Sequence, residues 1–350
     1  MANWPWRVSV RLLALAKKTG MVVGIVLVVL LAVRVYLSQQ GPELHPWHTW
    51  RADEMSVREL DNADFAGYLA REKAIFTDLD NAVTAKTAGE EQTPLNRYYR
   101  QSLVWPGQFA PDANRSFVLM PAGKPRGAVV LLHGLTDSPY SVRHLAVNYQ
   151  QRGFVAVVPR LPGHGTAPGA LTDVDWEMWL AATRLAVREA TRLTGNNVPL
   201  HLVGYSNGGA LAMKYALDAL EDPALRKPQQ MILLSPMIGV TSFARFAGFA
   251  GLPALLPPFA KAAWLNISPE YNPYKYNSFP VNAARQSWLL TKALQEQIGR
   301  EARENRLANL PPVLAFQSVM DSTVSTRAVV SGLFDQLPAN GSELVVFDIN

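Results

Sequence analysis

From about residue 115 onward, short unbroken apolar runs alternate with longer amphipathic stretches, and this alternation constrains the fold more than any other feature of the 350-residue chain. The runs fall at 116–120, 128–132, 154–158, 200–203, 231–234, 313–317 and 344–347, and each reads as a buried strand. Helices are expected near 140–151, 174–193, 207–220 and 325–337. In the second of these, Trp176, Trp179, Leu180, Thr183, Val187 and Ala190 share one face. Continuous apolar strands between helices predict an α/β architecture, a mostly parallel sheet covered by helices on both faces. In open sheets of this kind ligands sit beyond the carboxyl ends of the strands, so the chemistry is sought in the residues that follow them.

Composition narrows the possibilities. Hydrophobic residues make up 49% and charged residues 17%, the opposite of a disordered chain. With no cysteine, the chain has no disulfide, no thiol nucleophile and no cysteine-ligated zinc. The net charge of +5 suggests a nucleic-acid partner until the charges are placed. Arg7, Arg11, Lys17, Lys18 and Arg34 are the only charged residues before Glu43, and beyond residue 42 basic and acidic residues balance at 28 each. A neutral body has no electrostatic footprint for a phosphate backbone, and nucleic acid is excluded as a partner.

The basic stretch leads into an apolar run from Met21 to Val33, extended by Arg34 and Tyr36, which suit the headgroup region. Residues 1–37 are therefore read as a single-pass membrane anchor. The alternative, a cleaved signal peptide, lacks a small-x-small cleavage site after the run. Basic residues ahead of the helix predict a cytoplasmic N-terminus, with the remainder outside the cytoplasm, periplasmic if the source is Gram-negative. Residues 38–114 read as a linker and a helical extension, with helical spacing at Leu60, Phe65, Leu69, Ile75 and Leu79. His45 and His48 have no third partner for a metal and are read as packing residues.

Three segments that follow strands carry chemical information. After 200–203 comes Gly204-Tyr205-Ser206-Asn207-Gly208-Gly209, a serine pinched into a strand-to-helix turn with small residues two positions either side. The helix behind it would turn backbone N–H groups toward an oxyanion. After 128–132 comes His133-Gly134-Leu135-Thr136, and after 154–158 comes Pro162-Gly163-His164-Gly165. In this order and spacing the three segments resemble the α/β-hydrolase superfamily, and within it the monoacylglycerol lipase and carboxylesterase branch, related to the serine aminopeptidases. The resemblance covers roughly residues 115–349.

The resemblance implies Ser206 as nucleophile, with the N–H groups of Leu135 and Asn207 as the oxyanion hole. It places the acid after strand 313–317, where Asp321 stands, to orient a catalytic imidazole. His133 and His164 match positions that shape loops. The superfamily's order is serine, acid, histidine. Here all six histidines (45, 48, 133, 144, 164 and 201) precede Ser206, so a base is expected beyond residue 350 and the chain is expected to be a fragment. The hydrolase domain is read as 115–350, with a cap insertion at about 237–311. Phe243, Phe246, Phe249, Leu252, Leu255, Leu256, Phe259, Trp264 and Leu265 make that cap apolar, which suits an acyl chain, packing onto the body, or contact with a bilayer. The expectation is a membrane-anchored serine esterase or lipase acting on a small-molecule ester or lipid, needing neither metal nor cofactor. A serine aminopeptidase or amidase, and an inactive scaffold, remain open at this point.

Overall fold

The computed structural model describes residues 4–239, 247–321 and 324–348. The N-terminal helix α1 (Trp4–Gln39) is longer than its apolar run, because only Thr19 and Gly20 separate that run from the basic residues before it, and a single glycine costs a helix only about 1 kcal/mol. Two short helices, α2 (Pro46–Thr49) and α3 (Val57–Asn62), precede α4 (Phe65–Ala82). The single helical pattern expected over 56–80 is thus split in two. Ser56 caps α3, and Asp64 begins a new helix by accepting a hydrogen bond from the Gly67 N–H at 2.8 Å.

Among the described residues the sheet has seven strands in the order β1-β3-β2-β4-β5-β8-β9. They are β1 (Phe117–Leu119), β2 (Gly127–Leu132), β3 (Phe154–Val158), β4 (Leu200–Tyr205), β5 (Gln230–Leu234), β8 (Val313–Ser318) and β9 (Glu343–Phe347). β1 runs antiparallel to β3, and every other pairing in the sheet is parallel. Between β5 and β8 lie the pair β6 (Trp264–Asn266) and β7 (Phe279–Pro280), which forms a separate two-stranded sheet. All seven strand expectations are met, each within a residue or two at its ends.

The helices α5 (Arg143–Gln151), α6 (Trp176–Thr194) and α7 (Asn207–Glu221) cover the sheet. The period of two along β2 divides the core. Val129 and Leu131 face Val142 and Ala146 on the α5 side, whereas Ala128, Val130 and Leu132 join the larger core with Trp179, Leu185 and Leu211. Among the described residues three further helices follow: α8 (Ala247–Ala250), α9 (Val281–Arg303) and α10 (Thr326–Gly332).

Residues 40–55 are irregular apart from α2, yet they are well packed. Trp47 and Trp50 join Ile75, Leu79, Val83 and Tyr98 in a second small core. His48 Nε2 meets Ser278 Oγ at 3.0 Å, and His45 Nδ1 meets Glu91 Oε1 at 2.9 Å. The extension is held to the sheet by a buried charge cluster. The Arg160 guanidinium, which follows β3, donates to both carboxylate oxygens of Glu54 at 2.7 and 2.9 Å and to Glu72 Oε2 at 3.2 Å, and all three side chains are buried. Glu72 also accepts from the N–H and hydroxyl of Ser116 at the start of β1. Removing any one member would strand a buried charge, which makes this cluster the rivet between extension and sheet.

Candidate active site

Ser206 stands between the last residue of β4 and the first of α7, with φ 53° and ψ −113°. A non-glycine residue at positive φ is strained, and it persists only where neighbours over-determine it. The Ser206 N–H donates to the Leu234 carbonyl at 2.9 Å, and its own carbonyl accepts from the Gly209 N–H at 2.9 Å and the Met237 N–H at 3.0 Å. The flanking glycines are required by space. A Cβ on Gly204 would lie 2.3 Å from the Gly208 carbonyl oxygen, and one on Gly208 would lie 2.2 Å from the Leu132 carbonyl oxygen. The turn therefore closes only with glycine at both positions, and it lifts the serine above the sheet.

Ser206, Leu135 and Asp321 line one cavity of about 260 Å³, together with Gly134, Thr136, Asp137, Tyr205, Ser235, Met237, Lys275, Phe279 and Val324. The described residues include four non-glycine positions at positive φ: Thr136, Ser206, Ser235 and Asn305. The first three line this cavity. Strain concentrated at one concave site is the mark of a functional surface. Asn207 is the first residue of α7, where a backbone N–H has no carbonyl one turn earlier in its own helix to bond with. Asp321 follows β8, and its Oδ1 accepts from the Val324 N–H at 2.9 Å. The Val319 N–H donates to the Phe347 carbonyl at 2.9 Å, so the backbone leaves β9 beside the turn that carries Asp321.

Several residues of the cavity were not singled out from sequence. Asp137 is buried, and burial raises its carboxyl above the usual range although Ser141, Ser138 and Lys275 oppose the shift. The Tyr205 hydroxyl is pushed up first by burial, then by the nearby Asp137 and Asp321 carboxylates. Phe279 is the first residue of β7, and Lys275 comes from the aromatic stretch 272–276, to which sequence assigned no chemistry. Its buried Tyr276 is a strut. The Tyr276 N–H donates to the Thr136 carbonyl at 2.7 Å, and its hydroxyl donates to the Gly163 carbonyl at 3.0 Å while accepting from the Thr166 N–H at 2.7 Å. The cap is thereby bonded to two loops that follow strands. Asp137 was visible in the run after β2, but Lys275, whose charge acts on it, is remote in sequence.

The apolar cap residues are distributed otherwise than over the serine. Trp264 is buried with its ring edge-on to His48, while Leu252, Leu255, Leu256 and Leu265 are exposed, and none of these lines the cavity. Phe279 and Met237 supply apolar lining from the cap region instead. Phe243 and Phe246 lie outside the described residues.

His133 and His164 are fully buried and make structural bonds. His133 Nδ1 donates to the Gly134 carbonyl at 2.9 Å, and its Nε2 accepts from the Leu161 N–H at 3.0 Å. His164 Nδ1 donates to the Pro162 carbonyl at 3.0 Å. Among the described residues lining the cavity there is no histidine. Burial holds His133 well below the usual histidine value and brings His164 down to about 4. Above about pH 6.5 both folded and unfolded chains carry His164 neutral, and its contribution to stability is complete. As pH falls toward 4 the unfolded chain takes up the proton and the folded chain does not, so stability is lost, on the order of 3 kcal/mol from this residue. The urea midpoint is expected to fall between pH 7 and 4.5, and to fall less in His164→Gln. A wild-type midpoint that stays flat over this interval contradicts the neutral assignment.

The strand order, the strained serine turn after β4 and the acid after β8 define an α/β-hydrolase. Residues 123–348 match the family model described as serine aminopeptidase, S33, and the chain belongs to that family. It is 34% identical over 89 residues to a thermostable monoacylglycerol lipase of Bacillus sp. (strain H-257), a stretch covering 25% of this chain and 34% of the lipase. It is 31% identical over 96 residues to the magnesium-chelatase 30 kDa subunit of Rhodobacter capsulatus, covering 26% of this chain and 30% of that one. The matched stretches thus span about a third of each relative. A solved structure from LipS and LipT, two metagenome-derived lipolytic enzymes, superposes with a TM-score of 0.54 at 20% identity, covering 67% of this chain and 88% of that one, a likeness of fold.

Proposed function

We propose that the protein hydrolyses carboxylic esters of acyl chains, with Ser206 as nucleophile. The observation that carries this reading is the shared cavity: the strained Ser206, the Leu135 loop and Asp321 meet in one concave site. The Ser206 hydroxyl attacks the ester carbonyl and gives up its proton to a base, and the oxyanion rests on the N–H groups of Leu135 and Asn207. The proton passes to the departing alcohol, and water then releases the acyl group. Asp321 holds the base in its productive tautomer. In the superfamily that base is a histidine, which follows the acid in chain order.

The same reading makes α1 a membrane anchor. The segment Leu13–Gln39 contains an 18-residue window with a mean hydropathy of 2.6, and none of that window is buried. Its 27 residues span about 40 Å at 1.5 Å each, enough for a hydrocarbon core of about 30 Å. Arg7, Arg11, Lys17 and Lys18 keep the N-terminus in the cytoplasm and place the hydrolase domain on the other side.

A substrate series on the full-length protein tests the assignment. A fluorophosphonate should label the peptide that contains Ser206. Monoacylglycerols and p-nitrophenyl esters should be turned over with kcat/KM at least about a hundredfold above aminoacyl anilides. A reversed preference would make the protein an aminopeptidase or amidase. A folded protein that neither labels nor turns over would be a binding scaffold.

A further inference from the structure

The last turns of α1 are bonded to the cap. The Arg34 guanidinium donates to the carbonyls of Trp264 and, at 3.4 Å, Ala262. Gln39 Nε2 donates to the Pro258 carbonyl at 3.0 Å, and Lys261 Nζ donates back to the Gly41 carbonyl at 3.0 Å. All of these cap groups lie within residues 258–264. On either side of them the cap exposes large apolar side chains: Phe249 (62% exposed), Leu252, Leu255 (80%), Leu256 (58%) and Leu265. Residues 237–269 contain no acid and, besides Arg245, only Lys261 as a base. Lys261 is already engaged with the backbone just after the helix.

An exposed apolar strip of this kind marks an interaction surface. The occupant follows from what it adjoins. The strip surrounds the point at which the apolar helix meets the body. If that helix spans a bilayer, Arg34 and Gln39 lie at the headgroup level, where long polar side chains reach out of the hydrocarbon. The clamp then holds the cap at the same depth. A strip with almost no charge, fixed beside a spanning helix, fits the interfacial region of lipid.

We propose that α1 is more than a tether: through Arg34, Gln39 and Lys261 it clamps the cap so that Leu252, Leu255, Leu256 and Leu265 lie in the bilayer interface. The cap in turn is bonded through Tyr276 to the Thr136 loop of the cavity. Membrane contact and the reaction site are thus linked through the cap. This inference rests on the anchor reading above, and the experiment separates the two.

The chain has no cysteine, so single thiols can be introduced without background. Val26→Cys, Leu255→Cys and Asn196→Cys variants of the full-length protein would each carry an environment-sensitive nitrobenzoxadiazole label, in phosphatidylcholine vesicles containing doxyl-labelled lipid. The labels at positions 26 and 255 are expected to be quenched at least about twofold, and the label at the exposed Asn196 site is expected to stay in water. If position 26 is quenched and position 255 is not, the cap lies off the membrane and the inference fails while the anchor stands. If neither is quenched, the anchor reading fails and takes the inference with it. Adding Arg34→Ala and Lys261→Ala should at least halve quenching at position 255 and leave position 26 unchanged. Undiminished quenching at 255 would overturn the clamp. Joint Leu252→Asp, Leu255→Asp and Leu256→Asp substitution should slow hydrolysis of vesicle-borne monoacylglycerol at least about tenfold with p-nitrophenyl acetate unaffected. An equal effect on both substrates would also count against the proposal.

Discussion

Ser206→Ala is expected to reduce ester hydrolysis by the full-length protein by at least about a thousandfold and to abolish fluorophosphonate labelling, with little change in thermal unfolding. The size follows from the loss of covalent catalysis, which leaves only the oxyanion donors and binding to accelerate attack by water. The fold should tolerate the change because the bonds that hold the turn are made by the Ser206 backbone, to Leu234, Gly209 and Met237. Alanine keeps the strained φ of 53°, whereas glycine would relieve it. Ser206→Gly should therefore be equally inactive yet more stable than Ser206→Ala, by roughly 1 kcal/mol. Scanning calorimetry with a p-nitrophenyl ester assay reads both quantities. Substantial residual turnover with retained labelling would place the nucleophile elsewhere.

Arg160→Met is expected to be among the most destabilising single changes in the chain, although Arg160 lines no part of the reaction cavity. It would leave Glu54 and Glu72 buried near one another without their shared cation, and would remove the donor that Arg160 provides to the His164 carbonyl at 3.0 Å. Breaking a buried ion pair from one side costs roughly 3–5 kcal/mol. In a domain of this size that lowers Tm on the order of 10 °C. Neutralising the carboxylates together, as Glu54→Gln and Glu72→Gln in the Arg160→Met background, should restore part of the loss. A Tm within about 2 °C of wild type for Arg160→Met would show that water or a rearranged partner satisfies the carboxylates. The cluster thus adds a polar tie to the apolar packing of Leu60, Phe65 and Tyr68 that also holds the helical extension against the sheet.

How far the sequence could be read depended on which forces each element uses. The strands were legible because β2, β3 and β4 are short runs dominated by Val, Leu and Ala, with β2 buried throughout and β3 and β4 buried at most positions. The long helix α9 was not legible. Its buried positions include Gln286, Ser287, Thr291, Gln297 and Glu301, which break the apolar period. They are buried because tertiary partners satisfy them: Gln286 Nε2 donates to Asp175 at 2.8 Å, and Arg306 pairs with Glu301 at 2.7 Å. The apolar composition of the cap was legible, but not its direction. Exposed Leu255 and buried Trp264 look alike in a sequence, and only packing against His48 separates them.

The serine turn could be read locally because its constraints are local: Gly204 and Gly208 stand where a Cβ would strike backbone within the same turn or the adjoining strand. By itself, then, the sequence determined the parallel α/β sheet, the apolar N-terminal helix, the strained serine after β4 and the acid after β8, since each depends on periodicity or on neighbours a few residues apart. Tertiary structure alone decided that Ser206, Asp137, Lys275 and Asp321 share one cavity, that Arg160 gathers Glu54 and Glu72, and that Arg34 meets Trp264 some 230 residues away. Those contacts are set by where strands cross and helices dock, and no spacing along a chain encodes a distance between residues whose proximity is created only when the sheet closes.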